Sequence, residues 1–221
     1  MANIFTSSIG KKVIMSISGL FLILFLSLHM LLNITYIFSE GTFLQVIDFM
    51  GLPIVTIMVP VLAFGFVIHI LYAFILTLGN LRARGGYNRY AVPNKAATDS
   101  WASRNMVVLG IIVALGLILH LTHFWVDMQF AEWMGGEVAN APDLMVSTFG
   151  NVWVTVLYII WFIAIWFHLT HGFWSAFQSI GLNNTVWFKR LKVVGIVLVT
   201  LIMSGFTLIA IYTCCKANGL L

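Results

Sequence analysis

Five long stretches of this chain contain no Asp, Glu, Lys or Arg: residues 13–39, 49–81, 105–126, 144–188 and 193–215. Each exceeds the ~18 apolar residues that mark a helix able to cross a bilayer. A chain of 221 residues has nowhere else to build a core, so the stretches decide the fold class. Composition agrees: 61% of residues are hydrophobic and 8% charged, at a mean hydropathy of +1.03, whereas a soluble domain carries roughly 25% charged residues. The predicted fold is all-α: one integral membrane bundle, residues 1–221, with helices near 13–38, 54–80, 105–126, 151–178 and 192–213. The fourth stretch is too long for one crossing, so its ends are expected at the interface. The first apolar run is too long for a cleaved signal peptide and lacks a small-residue cleavage site, so it is expected to stay as helix one.

Charge predicts orientation. Lys11 and Lys12 precede helix one; Arg82, Arg84, Arg89, Lys95 and Arg104 lie between helices two and three; Lys189, Arg190 and Lys192 lie between four and five. Ten of the eleven basic residues thus fall on one side, which the positive-inside rule makes cytoplasmic. The N-terminus is then cytoplasmic and the C-terminus outside. Glu40, Asp48, Asp127, Glu132, Glu137 and Asp143 fall on the opposite side, with Lys216 as its one basic residue. The net charge of +4 therefore reflects topology and not a nucleic-acid surface. The basic face suits anionic lipid or a peripheral protein.

All six histidines, His29, His69, His120, His123, His168 and His171, fall inside predicted spans, on four helices, and the fifth helix has none. An ionisable residue in a span is costly and marks function by default; a lone one can also serve a helix–helix hydrogen bond. Depth organises the set. His29, His120 and His123 fall in the outer half, and His69, His168 and His171 in the inner half. Each half-membrane thus receives histidine from two helices, one and three outside, two and four inside. Two facing imidazoles at one depth suit a b-type haem, whose iron takes one axial ligand from each side.

A flat porphyrin needs a shallow helix surface, and residues four apart share a face. Gly65 stands four before His69, Gly116 four before His120 and Gly172 four after His168. His123 has Leu119 and Asp127 at that spacing, and His171 has Phe167 and Ser175. Glycine permits close approach to the backbone, which selects His120 and His168 as ligands from the two close pairs; small residues also serve plain helix packing. No Cys, Asp or Glu stands near His168 and His171 to complete a zinc site, and Asp127 is the one carboxylate near His123. A propionate, a quinone or a neighbouring helix are the partners left open for His123 and His171.

At this point a family likeness enters. "SGLFLILFLSLHMLLN" (18–33), "HILYAFILTLGNLRAR" (69–84), "GIIVALGLILHL" (110–121) and "HLTHGFW" (168–174) resemble the dihaem cytochrome b membrane anchor of succinate:quinone oxidoreductases, the succinate dehydrogenases and fumarate reductases with a single five-helix anchor. The resemblance covers nearly the whole chain; its outer loops match poorly. It implies two haem b groups, the outer held by His29 and His120, the inner by His69 and His168. It also implies flavoprotein and iron–sulfur partner subunits on the cytoplasmic face, a membrane quinone (menaquinone in many such anchors) and residence in a bacterial inner membrane. Succinate or fumarate chemistry would belong to the partners; this chain would be the quinone-reactive subunit. A carboxylate near the outer haem would handle the quinone's proton, with Glu40 and Asp48 as candidates beside their reading as ordinary loop charges. A dihaem anchor for a formate, hydrogen or nitrate enzyme is the alternative. A transporter with histidine proton relays is disfavoured, because no span carries a charged residue at mid-depth and Pro53 and Pro60 fall near the start of helix two. Trp101, Trp133, Trp153 and Trp187 are expected at the interfaces, Cys214 and Cys215 as packing residues, and Asn183 and Asn184 in a turn.

Overall fold

The computed structural model of the protein describes residues 7–83, 100–182 and 184–221. Arg84, Arg89, Lys95 and Asn183 lie outside the described residues. Among the described residues, five helices are long and apolar enough to cross a membrane: Ser8–Phe38, Pro53–Ala83, Met106–Trp133, Val152–Ser179 and Thr185–Ala217. They are spans one to five, and the chain is a multi-pass membrane protein. All the elements among the described residues are helical.

The spans outrun the uncharged stretches, and local capping explains where they stop. Ser7 accepts a hydrogen bond from the Gly10 N–H, so span one starts ahead of Lys11 and Lys12. Asn184 accepts from the Val186 and Trp187 N–H groups, so Lys189, Arg190 and Lys192 lie within span five rather than in the turn before it. Arg82 likewise lies inside span two. A side-chain cap satisfies the donors that a helix start leaves open, and long basic side chains reach the interface from inside the helix. The connection between spans four and five is correspondingly tight and turns through Gly181, at φ +103°. Trp101, Trp133, Trp153 and Trp187 all sit exposed near span ends.

Two further helices are structured segments where loops were expected. Glu40–Met50 is capped by Ser39 and buries Phe43 against Tyr36. Ala141–Phe149 buries Ala141, Met145 and Phe149 and supplies the first part of the long fourth stretch. Asn151 then caps span four through the Trp153 and Val154 N–H groups. Both helices lie at the end of the bundle that carries Glu40, Asp48 and Lys216, called here the acidic end; Lys11, Lys12, Arg82, Arg104, Lys189, Arg190 and Lys192 mark the basic end.

Span four is the axis. It packs against spans one, three and five, and its longest face is shared with span five, where Tyr158, Phe162, Ile165, Val199, Ile202 and Met203 form the largest core cluster. Small residues allow membrane helices to approach: Gly195 lies against Phe173 and Gly205 against Met30. Span two is peripheral. It packs along span one, and none of its residues is buried. Spans one and three share no substantial packing face, and neither do spans two and four.

This packing predicts contrasting effects of glycine replacement. A Cβ at Gly195 would stand 2.6 Å from the Phe173 ring, whereas one at Gly79 meets nothing within 4 Å. Gly195→Ala is expected to cost ~1–3 kcal/mol by overpacking, and Gly79→Ala to stay within about 0.5 kcal/mol. Thermal unfolding of both variants in detergent measures the contrast.

Candidate functional site: two facing histidine pairs

The pairs of spans that share no packing face are the pairs whose histidines meet. His29 of span one and His120 of span three bring their rings to 5.9 Å between centroids, at an interplanar angle of 82°. His69 of span two and His168 of span four stand 6.4 Å apart at 71°. Two imidazoles bonded at about 2 Å to opposite sides of one first-row metal have centroids roughly 6 Å apart. Both separations match that figure.

Neighbouring groups hold the rings. Ser18 donates its hydroxyl proton to the Met15 carbonyl at 3.0 Å, so its oxygen accepts from the His69 Nδ1–H, at 3.2 Å. The tautomer with its proton on Nδ1 suits this arrangement and leaves Nε2 of His69 with its lone pair. Gly19, the next residue, lies against the same ring: a Cβ there would be 3.1 Å from His69 Cε1. Gly110 of span three faces His168 more loosely: a Cβ there would be in ordinary contact with His168 Cε1, at 3.7 Å. His168 Nδ1 is buried and has no hydrogen-bond partner among the described residues. At the other pair, His29 stacks on Phe25 at 5.4 Å and lies 5.7 Å from the Phe206 ring, and Asn33 donates to the His29 carbonyl. His120 lies among Phe124, Tyr158 and Trp161.

The glycines chosen by same-helix spacing have different neighbours. Gly116 seats the indole of Trp161, whose Nε1 donates to the Val113 carbonyl at 3.2 Å. Gly65 seats the ring of Phe21. Each is a notch for an aromatic ring of an adjacent span. Gly172 is the more open of the three: a Cβ there would meet only Met106 Cε, at 3.8 Å. Ser18, Gly19 and Gly110 escaped sequence reasoning because they act on a histidine of another helix, and spacing along one helix carries no such signal. Tyr158 escaped it as one aromatic among many.

The secondary histidines take separate surroundings. His123 Nδ1 stands 3.0 Å from the Tyr158 hydroxyl and stacks on that ring. His171 packs edge-on against Trp174 at 4.7 Å, and its Nδ1 is buried with no partner among the described residues. Glu40 is brought to Lys216: their ion pair measures 3.0 Å, and the Lys216 ammonium lies 5.0 Å above the Tyr36 ring. Asp48 is exposed on the Glu40–Met50 helix.

Each facing pair offers two imidazoles, the donor chemistry of a bis-histidine centre, at ring separations of 5.9 and 6.4 Å. Compared with known proteins, the chain matches no protein-family model, no curated protein and no solved structure. What stands on fold and geometry is the class: a five-span helical membrane protein with two facing histidine pairs.

Proposed function

We propose that this chain is the haem b-bearing membrane anchor of a succinate:quinone oxidoreductase, passing electrons between an iron–sulfur partner subunit and membrane quinone. The observation that carries the reading is the selective meeting of histidines, span one with three and span two with four, across helix faces that otherwise do not pack. His29 and His120 would hold one haem, and His69 and His168 the other. A bis-histidine haem b supplies one-electron transfer with no open coordination position.

The protein's own residues do the rest. Ser18 holds the His69 ring with Nε2 available, and Gly19 and Gly110 let His69 and His168 sit close to neighbouring backbone. Apolar spans keep water from both pairs, and aromatic rings flank the pair at the acidic end. By the positive-inside rule the basic end is cytoplasmic, so Arg82, Arg104, Lys189, Arg190 and Lys192 form the face that receives the flavoprotein and iron–sulfur subunits. The N-terminus is then cytoplasmic, the C-terminus outside, and the membrane a bacterial inner membrane. Quinone, menaquinone by the resemblance, would react at the outer pair. The bond from Lys216 gives Glu40 a part in securing the end of span five, which leaves Asp48 as the candidate for the quinone's proton.

The test is a reduced-minus-oxidised visible spectrum of the purified protein, with haem counted per chain. The expected result is sharp b-type bands of bis-histidine form and two haems; a haem-free protein expressed under haem-sufficient conditions overturns the reading. Co-purification then tests the partner: recovery with a molybdenum or nickel enzyme would overturn the succinate assignment and spare the haems.

A further inference from the structure

Near the acidic end, span three changes character. Directly after His120 the backbone turns π-helical, from Leu121 to Phe130. π segments recur at functional sites, and residues four apart in one share a face much as they do in an α-helix. His123 and Asp127 are one such pair, and both line one cavity of about 290 Å³. Thr122, Ser147, Thr148 and Asn151 supply the rest of its polar wall.

We infer that this cavity binds a late first-row dication, Zn²⁺ foremost, through Nε2 of His123 and the carboxylate of Asp127. Nδ1 of His123 stands 3.0 Å from the Tyr158 hydroxyl, and Tyr158 is itself 2% exposed and wedged by Phe149 and Phe162, so the ring is held from its far side. In the tautomer that carries its proton on Nδ1, the ring donates to the Tyr158 hydroxyl and keeps the Nε2 lone pair for a ligand. Asp127 is exposed, so a hydrated ion reaches it from solvent. The hydroxyls of Thr122 and Ser147 donate to the Leu119 and Leu144 carbonyls, which leaves their oxygen lone pairs for the ion or its waters. An imidazole with a carboxylate favours zinc or copper over magnesium or calcium. No group of three or more His, Cys, Asp or Glu among the described residues is gathered so as to hold a metal ion, so an ion held by these two side chains keeps several waters and exchanges readily. Neither residue belongs to the four proposed haem ligands, and the site does not depend on the haem reading.

Equilibrium dialysis of the purified full-length protein against Zn²⁺, with bound metal counted by mass spectrometry, tests this. The wild type is expected to hold one saturable equivalent that His123→Ala and Asp127→Asn each bind at least tenfold more weakly. Asp143→Asn, at the same end of the bundle, should bind as the wild type does. Because Asp127 is exposed, Asp127→Asn carries the test even if His123→Ala folds poorly. No saturable equivalent in the wild type, or undiminished binding by Asp127→Asn, would sink the inference. Haem content, read on the same samples, reports the haem reading separately.

Discussion

His29→Ala and His120→Ala are each expected to halve the haem content by removing the same spectral component, and His69→Ala and His168→Ala to remove the other. The reason is reach. A helix rises ~1.5 Å per residue, so one imidazole cannot make up a slip of several residues in depth. The ring pairs that meet are His29 with His120 and His69 with His168. His123→Ala and His171→Ala should keep both haems, since His123 is engaged with Tyr158 and His171 packs on Trp174. Redox titration of each variant, with haem counted per chain, checks all six. Loss of one common component by His29→Ala and His69→Ala would refute the pairing, and loss of the inner haem in His171→Ala but not His168→Ala would refute the choice of ligand on span four.

Gly19→Val should empty the inner site without touching a ligand. A Cβ at Gly19 would already stand 3.1 Å from His69 Cε1, and the branched valine side chain adds bulk against that ring. The outer haem should remain, because no ring of that pair touches Gly19. Ser18→Ala is the gentler companion: it removes the acceptor that orients His69 Nδ1–H, a loss that typically costs ~10–100-fold in metal affinity. Haem retention during dialysis of the two variants, read component by component, separates steric eviction from a lost hydrogen bond. Two native components in Gly19→Val would show that His69 is not held where the glycine admits it.

Much of this was legible in the chain because a bilayer imposes long apolar runs, and those runs can be counted. The five spans, the basic and acidic ends and the confinement of histidine to spans one to four follow from residue type and position alone. So does the pairing expected from depth, since depth is a linear function of position along a helix. Span ends were less legible: caps at Ser7 and Asn184 continue helices through Lys11, Lys12, Lys189, Arg190 and Lys192, where a scan for charge stops. The Glu40–Met50 and Ala141–Phe149 helices were hidden because their order depends on burying Phe43 and Met145 against other parts of the bundle. Only the tertiary structure could decide which glycine faces which ring. Gly116 and Gly65 serve Trp161 and Phe21, while Gly19 and Gly110 serve His69 and His168. Spacing along one helix reports the face a residue lies on; the group that meets that face is set by how neighbouring helices cross, and that depends on every side chain between them.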